Sequence, residues 1–316
     1  MTGKEQAIGM DTELDRVLGA RGLSHSQKSD WSRRGDRPAP RFFAAGAKRI
    51  SCIVCAYNEE DRIRNILDAV DRHPALSEVI VVNDGSTDAT EALLAGYPDI
   101  QVISYAPNRG KTYALSRGIA AARHDCLMLL DADLAGVTAR DIDALAAPVV
   151  NGEADVSISL RRNSLAIYRG IGLDFVSGER VLPAWLVRDA VRAMERLPRW
   201  GGEAFMNDLI IKHGCRLAVV DWPAVFNIRK YSKLGPWRGA LSELAMMRDA
   251  LSVLTPWGVV RQNLALLRLV RSRPPKAAGQ GRQIESAFDI SFRRYFLISQ
   301  YAARSTSPMP KNKKVM

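Results

Sequence analysis

Asp131 and Asp133 stand one residue apart at the end of an apolar run, in the stretch LMLLDADLAG. Like charges that close repel, and removing them from water is costly unless a positive charge lies between them. A divalent cation bridging a diphosphate would resolve the conflict. Mg²⁺ or Mn²⁺ takes hard oxygen ligands and binds through one or two carboxylates plus phosphates. It would also neutralise charge developing on a departing diphosphate. Other carboxylate chemistry fits worse. A calcium loop starting at Asp131 would need an oxygen ligand at Ala135 and an acid at Ile142, and no G-x-x-x-x-G-K-[ST] phosphate loop is present. Two more polar clusters, Tyr57-Asn58-Glu59 and Asn83-Asp84-Gly85, also follow apolar runs. A solvated loop explains any one of the three but explains all three poorly.

Such groups need a frame, and the chain supplies an alternating one from Arg49 onward. Strand-like runs (RISCIVCAY, EVIVVND, IQVISYA, CLMLLDAD) alternate with helical segments (NEEDRIRNILDAVDRH, STDATEALLAGY, KTYALSRGIAAAR, TARDIDALAAPVV). This period predicts an α/β fold with a mainly parallel sheet and right-handed crossovers. Ligands of such sheets bind beyond the carboxyl ends of the strands, where the acidic clusters fall. Later strands are expected at ADVSISL and RLAVVDW, with a helix, GGEAFMNDLIIKHG, between them.

Apolar residues make up 47% of the 316, enough for a packed core. The net charge of +11 is uneven. Residues 255–316 hold 12 basic and 2 acidic side chains, whereas 49–254 are near neutral. That places basicity in the tails and argues against a nucleic-acid-binding core. Residues 1–48 read as a disordered basic tail with one short helix near Asp11–Leu18. Cys52 and Cys55 have CxxC spacing but lie inside a strand-like run with no second pair, so buried reduced thiols are expected. With no apolar leader and no run of about 18 uncharged apolar residues, a cytoplasmic location is expected.

IVCAYNEEDRI, VIVVNDGSTDAT, NRGKTYALSRGI and LMLLDADL, in that order, resemble the successive motifs of family 2 of the inverting glycosyltransferases. The resemblance is strong over roughly 50–135 and weaker over 150–240. It implies the GT-A fold, a Rossmann-like sandwich over residues 49–240, with a nucleotide-sugar half (49–150) and an acceptor half (151–240). It further implies that Ala56, Tyr57 and Glu59 line the nucleoside site and that Asp84 accepts a hydrogen bond from the base. Lys111 would lie near the nucleotide, Asp131 would contact the ribose or the metal, and Asp133 would hold Mg²⁺ or Mn²⁺ against the diphosphate. The donor would be a nucleotide-sugar, with UDP favoured over GDP. A base would deprotonate an acceptor hydroxyl for in-line attack on the anomeric carbon.

SGERVLP resembles the acceptor-side S/T-G-x-R segment of polyprenyl-phosphate and glycerate-phosphate sugar transferases. Gly178 and Arg180 would then meet a phosphate, although a loop arginine paired with a neighbour is an equal reading. For the base, Glu203 and Asp208 compete. Glu203 lies near the edge of its helix's apolar face and looks into the cleft, while Asp208 points to water. Asn227 occupies the place where many relatives carry a metal-binding histidine, making it a candidate amide ligand, and Arg229 follows as a phosphate contact beside Lys230 and Lys233. No Q-x-x-R-W follows, which disfavours a processive synthase. A nucleotidyltransferase would need a G-G-x-G-T-R loop where AYNEED stands, and the intact Asp84, Asp131, Asp133 and Glu203 disfavour an inactive relative.

Residues 241–316 are expected to form a helical, basic extension. Val259, Leu266, Leu267 and Val270 fall on one face of VVRQNLALLRLVR, with Arg261 and Arg268 nearly opposite. Such a helix either packs on the domain or lies on an anionic membrane. The accumulated basic charge favours peripheral contact at the inner membrane face, which would suit a lipid-linked acceptor.

Overall fold

The computed structural model describes residues 49–199, 201–227 and 256–272. The tail 1–48 with its Asp11–Leu18 helix, Arg229, Lys230, Lys233 and most of 241–316 lie outside the described residues.

The strands are β1 (Ile50–Ala56), β2 (Glu78–Asp84), β3 (Gln101–Tyr105), β4 (Cys126–Asp131), β5 (Leu134–Ala135), β6 (Val156–Arg161), β7 (Arg180–Pro183), β8 (Leu217–Trp222), β9 (Phe226–Asn227) and β10 (Val270–Ser272). Eight of them form one sheet in the order β10-β8-β6-β7-β4-β1-β2-β3, and β5 pairs with β9 in a separate ribbon. β7 runs antiparallel to both its neighbours, β4 and β6, while the other pairs in the sheet are parallel. The expected mainly parallel α/β sheet is present.

Both faces of the sheet are buried, which is why its central strands read as unbroken apolar runs. On one face Ile53, Val82, Leu129 and Leu182 pack with Ile119, Phe205 and Leu209. On the other, Val54, Val81 and Leu130 pack with Ile66, Leu145 and Trp222. Cys52 and Cys55, three residues apart on a strand, belong to opposite faces; all four cysteines are free thiols.

The helix Pro256–Leu269 takes the first of the two readings given for its apolar stripe, packing on the domain. Its apolar side is turned to the protein: Leu266 is fully buried, and Val259, Leu267 and Val270 are half-buried against the first core. Gln262 joins it to the helix Gly202–Lys212, its Nε2 donating to Asp208 Oδ1 (2.6 Å) and to the Ala204 carbonyl (3.0 Å). The face assigned to a membrane is therefore occupied by the core, because covering apolar surface already at hand is worth about 25 cal/mol per Å². Among the described residues no helix is long and apolar enough to cross a membrane.

Candidate active site

The carboxyl ends of β1, β2, β4 and β6 share one edge of the sheet, and Cys55 lies directly across from Asp131. Because β7 runs the opposite way, its start meets that edge too. Leu129 pairs with Arg180, so the register carries Asp131 opposite Gly178. A Cβ on Gly178 would lie 2.5 Å from Asp131 Oδ1 and 2.6 Å from Lys111 Nζ. Only a glycine lets this loop pass so close to the pair.

Lys111 is the centre of the site. It opens the helix Lys111–Ala121, directly after Gly110, whose φ of +95° is left-handed. Its ammonium lies 2.6 Å from Asp131 Oδ1 and 2.7 Å from Glu203 Oε1. Burial opposes the lysine's charge, but Asp131 and Glu203 more than offset it and hold the group firmly protonated. For Asp131, burial pushes upward and is outweighed by Lys111, then Arg161 and Arg180, so its carboxyl sits below the usual range. Glu203 is in the first turn of the helix Gly202–Lys212 and is nearly buried. Asp208 is half-buried against Gln262 rather than in water, on the side of that helix facing Pro256–Leu269.

Asp84 anchors the loop that delivers Lys111. Its Oδ1 accepts from the Arg109 N–H (2.7 Å), and its Oδ2 accepts from the Gly110 N–H (2.8 Å) and from Asn108 Nδ2 (2.8 Å). Most of its capacity is committed inside the protein. Ala56 is buried beneath the crevice, Tyr57 is 44% exposed at its rim, and Glu59 pairs with Arg62 at 2.5 Å. Asn58 ties this loop to the next: its N–H donates to Ser86 Oγ (3.0 Å), and its Oδ1 accepts from the Thr87 N–H (2.8 Å).

Asp133 follows the end of β4, where the chain leaves the main sheet for the β5–β9 ribbon. In that ribbon Asn227 pairs with Leu134, and Asn227 Nδ2 donates to Asp133 Oδ1 at 3.0 Å. Burial and then the Asp131 charge raise the Asp133 carboxyl above its ordinary range. Two aspartates with the affinity of one raised by the other form a donor set of hard oxygens short of positive charge. Asp131, Asp133, Asp174, Glu179 and Glu203 act on one another here against Lys111, Arg161 and Arg180. Among the described residues no group of three or more His, Cys, Asp or Glu side chains is arranged to hold a metal ion, so a cation would need ligands from elsewhere, as a diphosphate provides.

Arg180 departs from its expected role as a phosphate contact. It is fully buried, its NH2 donating to the Ser177 carbonyl and its NH1 to Asn207 Oδ1 (3.2 Å). Desolvation lowers its proton affinity. A strand position in a buried sheet leaves it no path to solvent. Sequence reasoning missed its neighbours. Glu179, fully buried, accepts from Ser177 Oγ (2.6 Å), Ser159 Oγ (2.8 Å) and Arg161 NH1 (3.0 Å). Asp174 accepts from Ser164 Oγ (2.6 Å). The signal was present in β6, where Ser157, Ser159 and Arg161 alternate with Val156, Ile158 and Leu160.

Residues 51–167 match the model of glycosyl transferase family 2. The chain is 33% identical over 131 residues to glucosyl-3-phosphoglycerate synthase of Mycolicibacterium paratuberculosis, a match covering 39% of this chain and 40% of that protein. It is 34% identical over 109 residues to human (Homo sapiens) dolichyl-phosphate beta-glucosyltransferase, covering 30% and 34% respectively. Glucosyl-3-phosphoglycerate synthase of Mycobacterium tuberculosis, solved in complex with Mn²⁺ and UDP-glucose, superposes with a TM-score of 0.51 at 25% identity, over 65% of this chain and 79% of that one. The matched part is well under two thirds of the length of both sequence relatives.

Proposed function

We propose, on the match of residues 51–167 to the model of glycosyl transferase family 2, that the protein is a metal-dependent, inverting hexosyltransferase. It moves a sugar from a nucleotide-sugar, a UDP-sugar in preference to a GDP-sugar, to a hydroxyl or phosphate acceptor. The single observation that carries this reading is the Lys111 ammonium held between Asp131 and Glu203. It places a strand-end aspartate, a cation suited to a diphosphate and a carboxylate suited to base catalysis within one side chain's reach.

Tyr57 offers an exposed ring at the nucleoside rim, and Asp84 sets the loop that presents Lys111. Asp131 and Asp133 would hold Mg²⁺ or Mn²⁺, which when bound supplies charge compensation for the diphosphate. With a hydroxyl acceptor, Glu203 takes the hydroxyl proton as the acceptor oxygen bonds to the anomeric carbon. The bond from that carbon to the diphosphate oxygen breaks on the opposite face, and its electron pair leaves with the nucleoside diphosphate, inverting the centre. Lys111, firmly protonated, is placed to follow that charge.

The acceptor class rests on the relatives' names, phosphoglycerate in one and dolichyl phosphate in the other, which share a phosphate. A lipid-linked acceptor at an anionic membrane would meet the helix Pro256–Leu269 on the side opposite its packed face, where Trp257 and Leu264 are exposed beside Arg261 and Arg268. The test of the donor reading is a thermal-shift panel of UDP, GDP and their sugars with and without Mn²⁺. Stabilisation by a UDP ligand only when metal is present is the expected result; no shift with any nucleotide at saturating metal would overturn it.

A further inference from the structure

Arg161 ends β6, and three partners surround its guanidinium. NH1 donates to Glu179 Oε1 (3.0 Å) and to Asn227 Oδ1, and NH2 lies 3.5 Å from Asp174 Oδ2. Asn227 passes the contact on, its Nδ2 donating to Asp133 Oδ1. The Asn227 main chain is pinned as well. Its carbonyl accepts from Asn163 Nδ2 (2.9 Å), and its N–H donates to Asn163 Oδ1 (3.2 Å). A guanidinium has only donors, so the Asn227 atom facing it must be the amide oxygen; a carboxylate has only acceptors, so Asp133 takes the amide nitrogen. Both neighbours fix the amide in the same sense.

We propose that Arg161 is a positioning residue for the aspartate pair. It holds the Asn227 oxygen turned away from Asp131 and Asp133, so that Asn227 serves Asp133 as a hydrogen-bond donor and takes no part in ligating a cation. The inference rests on the metal-dependent reading above and deepens it. With Asn227 withheld, the described residues offer a cation two carboxylates, one of them shared with Lys111. Such a site is weak alone and fills together with the oxygens of a diphosphate. Having no nitrogen donor, it also discriminates little between Mn²⁺ and Mg²⁺.

The experiment is Mn²⁺ titration of the full chain, followed by electron paramagnetic resonance of free Mn²⁺, without nucleotide and with UDP. Arg161→Gln lets Asn227 turn its oxygen inward, and it also removes a positive charge; the Asn227→Ala background separates the two effects. Nucleotide-free Mn²⁺ affinity should rise about tenfold more on Arg161→Gln with Asn227 in place than with Asn227→Ala, in the range that groups behind a metal's ligands command. Arg161→Lys, which keeps the charge beside Glu179 and Asp174 but loses the fork, should show the same sign if the glutamine variant folds poorly. An equal rise in both backgrounds, or none, overturns the inference while leaving the donor site standing. Absence of Mn²⁺ binding by the unaltered chain with UDP present overturns the metal-dependent reading itself, and this inference with it.

Discussion

Gly178 and Asp131 approach so closely that a methyl group on the glycine would lie 2.5 Å from Asp131 Oδ1. The same methyl would lie 2.6 Å from Lys111 Nζ, so it cannot be accommodated without parting the pair. Gly178→Ala changes no charge and removes no hydrogen-bonding group. It should nevertheless lower kcat about 100-fold, the usual penalty for a displacement near 1 Å at a reacting site. Overpacking should cost about 1–3 kcal/mol of stability. Steady-state kinetics beside a denaturant melt checks both; unchanged kcat would mean that the Lys111–Asp131 contact is not needed for transfer.

The Asp131 and Asp133 carboxyls are shifted in opposite directions from their ordinary range, and the sign of each has a consequence. Asp131, depressed by Lys111 with help from Arg161 and Arg180 against its burial, adds stability above its unfolded-state pKa of about 3.9, lost as pH falls through the lower folded value. Asp133, raised by burial and by Asp131, detracts from stability once ionised, and the metal-free protein regains it as pH falls through that raised value. Asp133→Asn should therefore melt higher than the unaltered chain at neutral pH without metal. It should also lose metal-dependent stabilisation and about 100-fold or more in transfer, since the charge it helps to gather is worth several kcal/mol. Calorimetry at neutral pH with and without Mn²⁺ decides it: a lower melting temperature for the metal-free variant contradicts the assigned repulsion.

Glu203 and Asp208 share a helix but not an environment. Glu203 touches Lys111, whereas Asp208 accepts from Gln262 of the packed C-terminal helix. Glu203→Gln keeps an acceptor for Lys111 and removes the base, so transfer should fall by about 10²–10⁴-fold with nucleotide binding intact. Asp208→Asn keeps its acceptor for Gln262 and should stay near full activity. Rates beside UDP affinity by calorimetry make the comparison; an inactive Asp208→Asn with an active Glu203→Gln would transfer the base to Asp208.

How far the sequence carries depends on the range of the contacts. Asp84, Asp131 and Asp133 were legible at or just beyond strand ends because periodicity and strand-end polarity are local signals, while Lys111, at a helix start, came from the family resemblance. Glu203 was approached from the helical wheel and from the acidic residue that relatives carry in this segment, neither of which shows what the side chain faces. β7 was hidden in SGERVLP, whose four strand residues begin with an arginine, and its insertion between β4 and β6 is what buries Arg180. β5 and β9 are two residues each and exist only as partners of one another. The amphipathic pattern of 259–270 was real, but an apolar stripe looks the same whether a bilayer or a core covers it.

That last ambiguity gives a test within one helix. Leu264 and Leu266 are two residues apart on Pro256–Leu269, 53% exposed and fully buried respectively. If the helix is part of the core, Leu266→Ala leaves a cavity among Leu266's neighbours and should destabilise the fold by about 2–5 kcal/mol. Leu264→Ala should stay within about 0.5 kcal/mol, as surface substitutions do. A lipid surface reached through Trp257 and Leu264 would invert the ranking in vesicle co-sedimentation. There Leu264→Ala would weaken binding to anionic vesicles, while Leu266→Ala would not at temperatures where it remains folded. Urea melts of the full-length chain give the first comparison. Equal stabilities for the two variants would mean that the helix does not hold to the domain, and would return its Val259–Leu266–Leu267 stripe to the membrane.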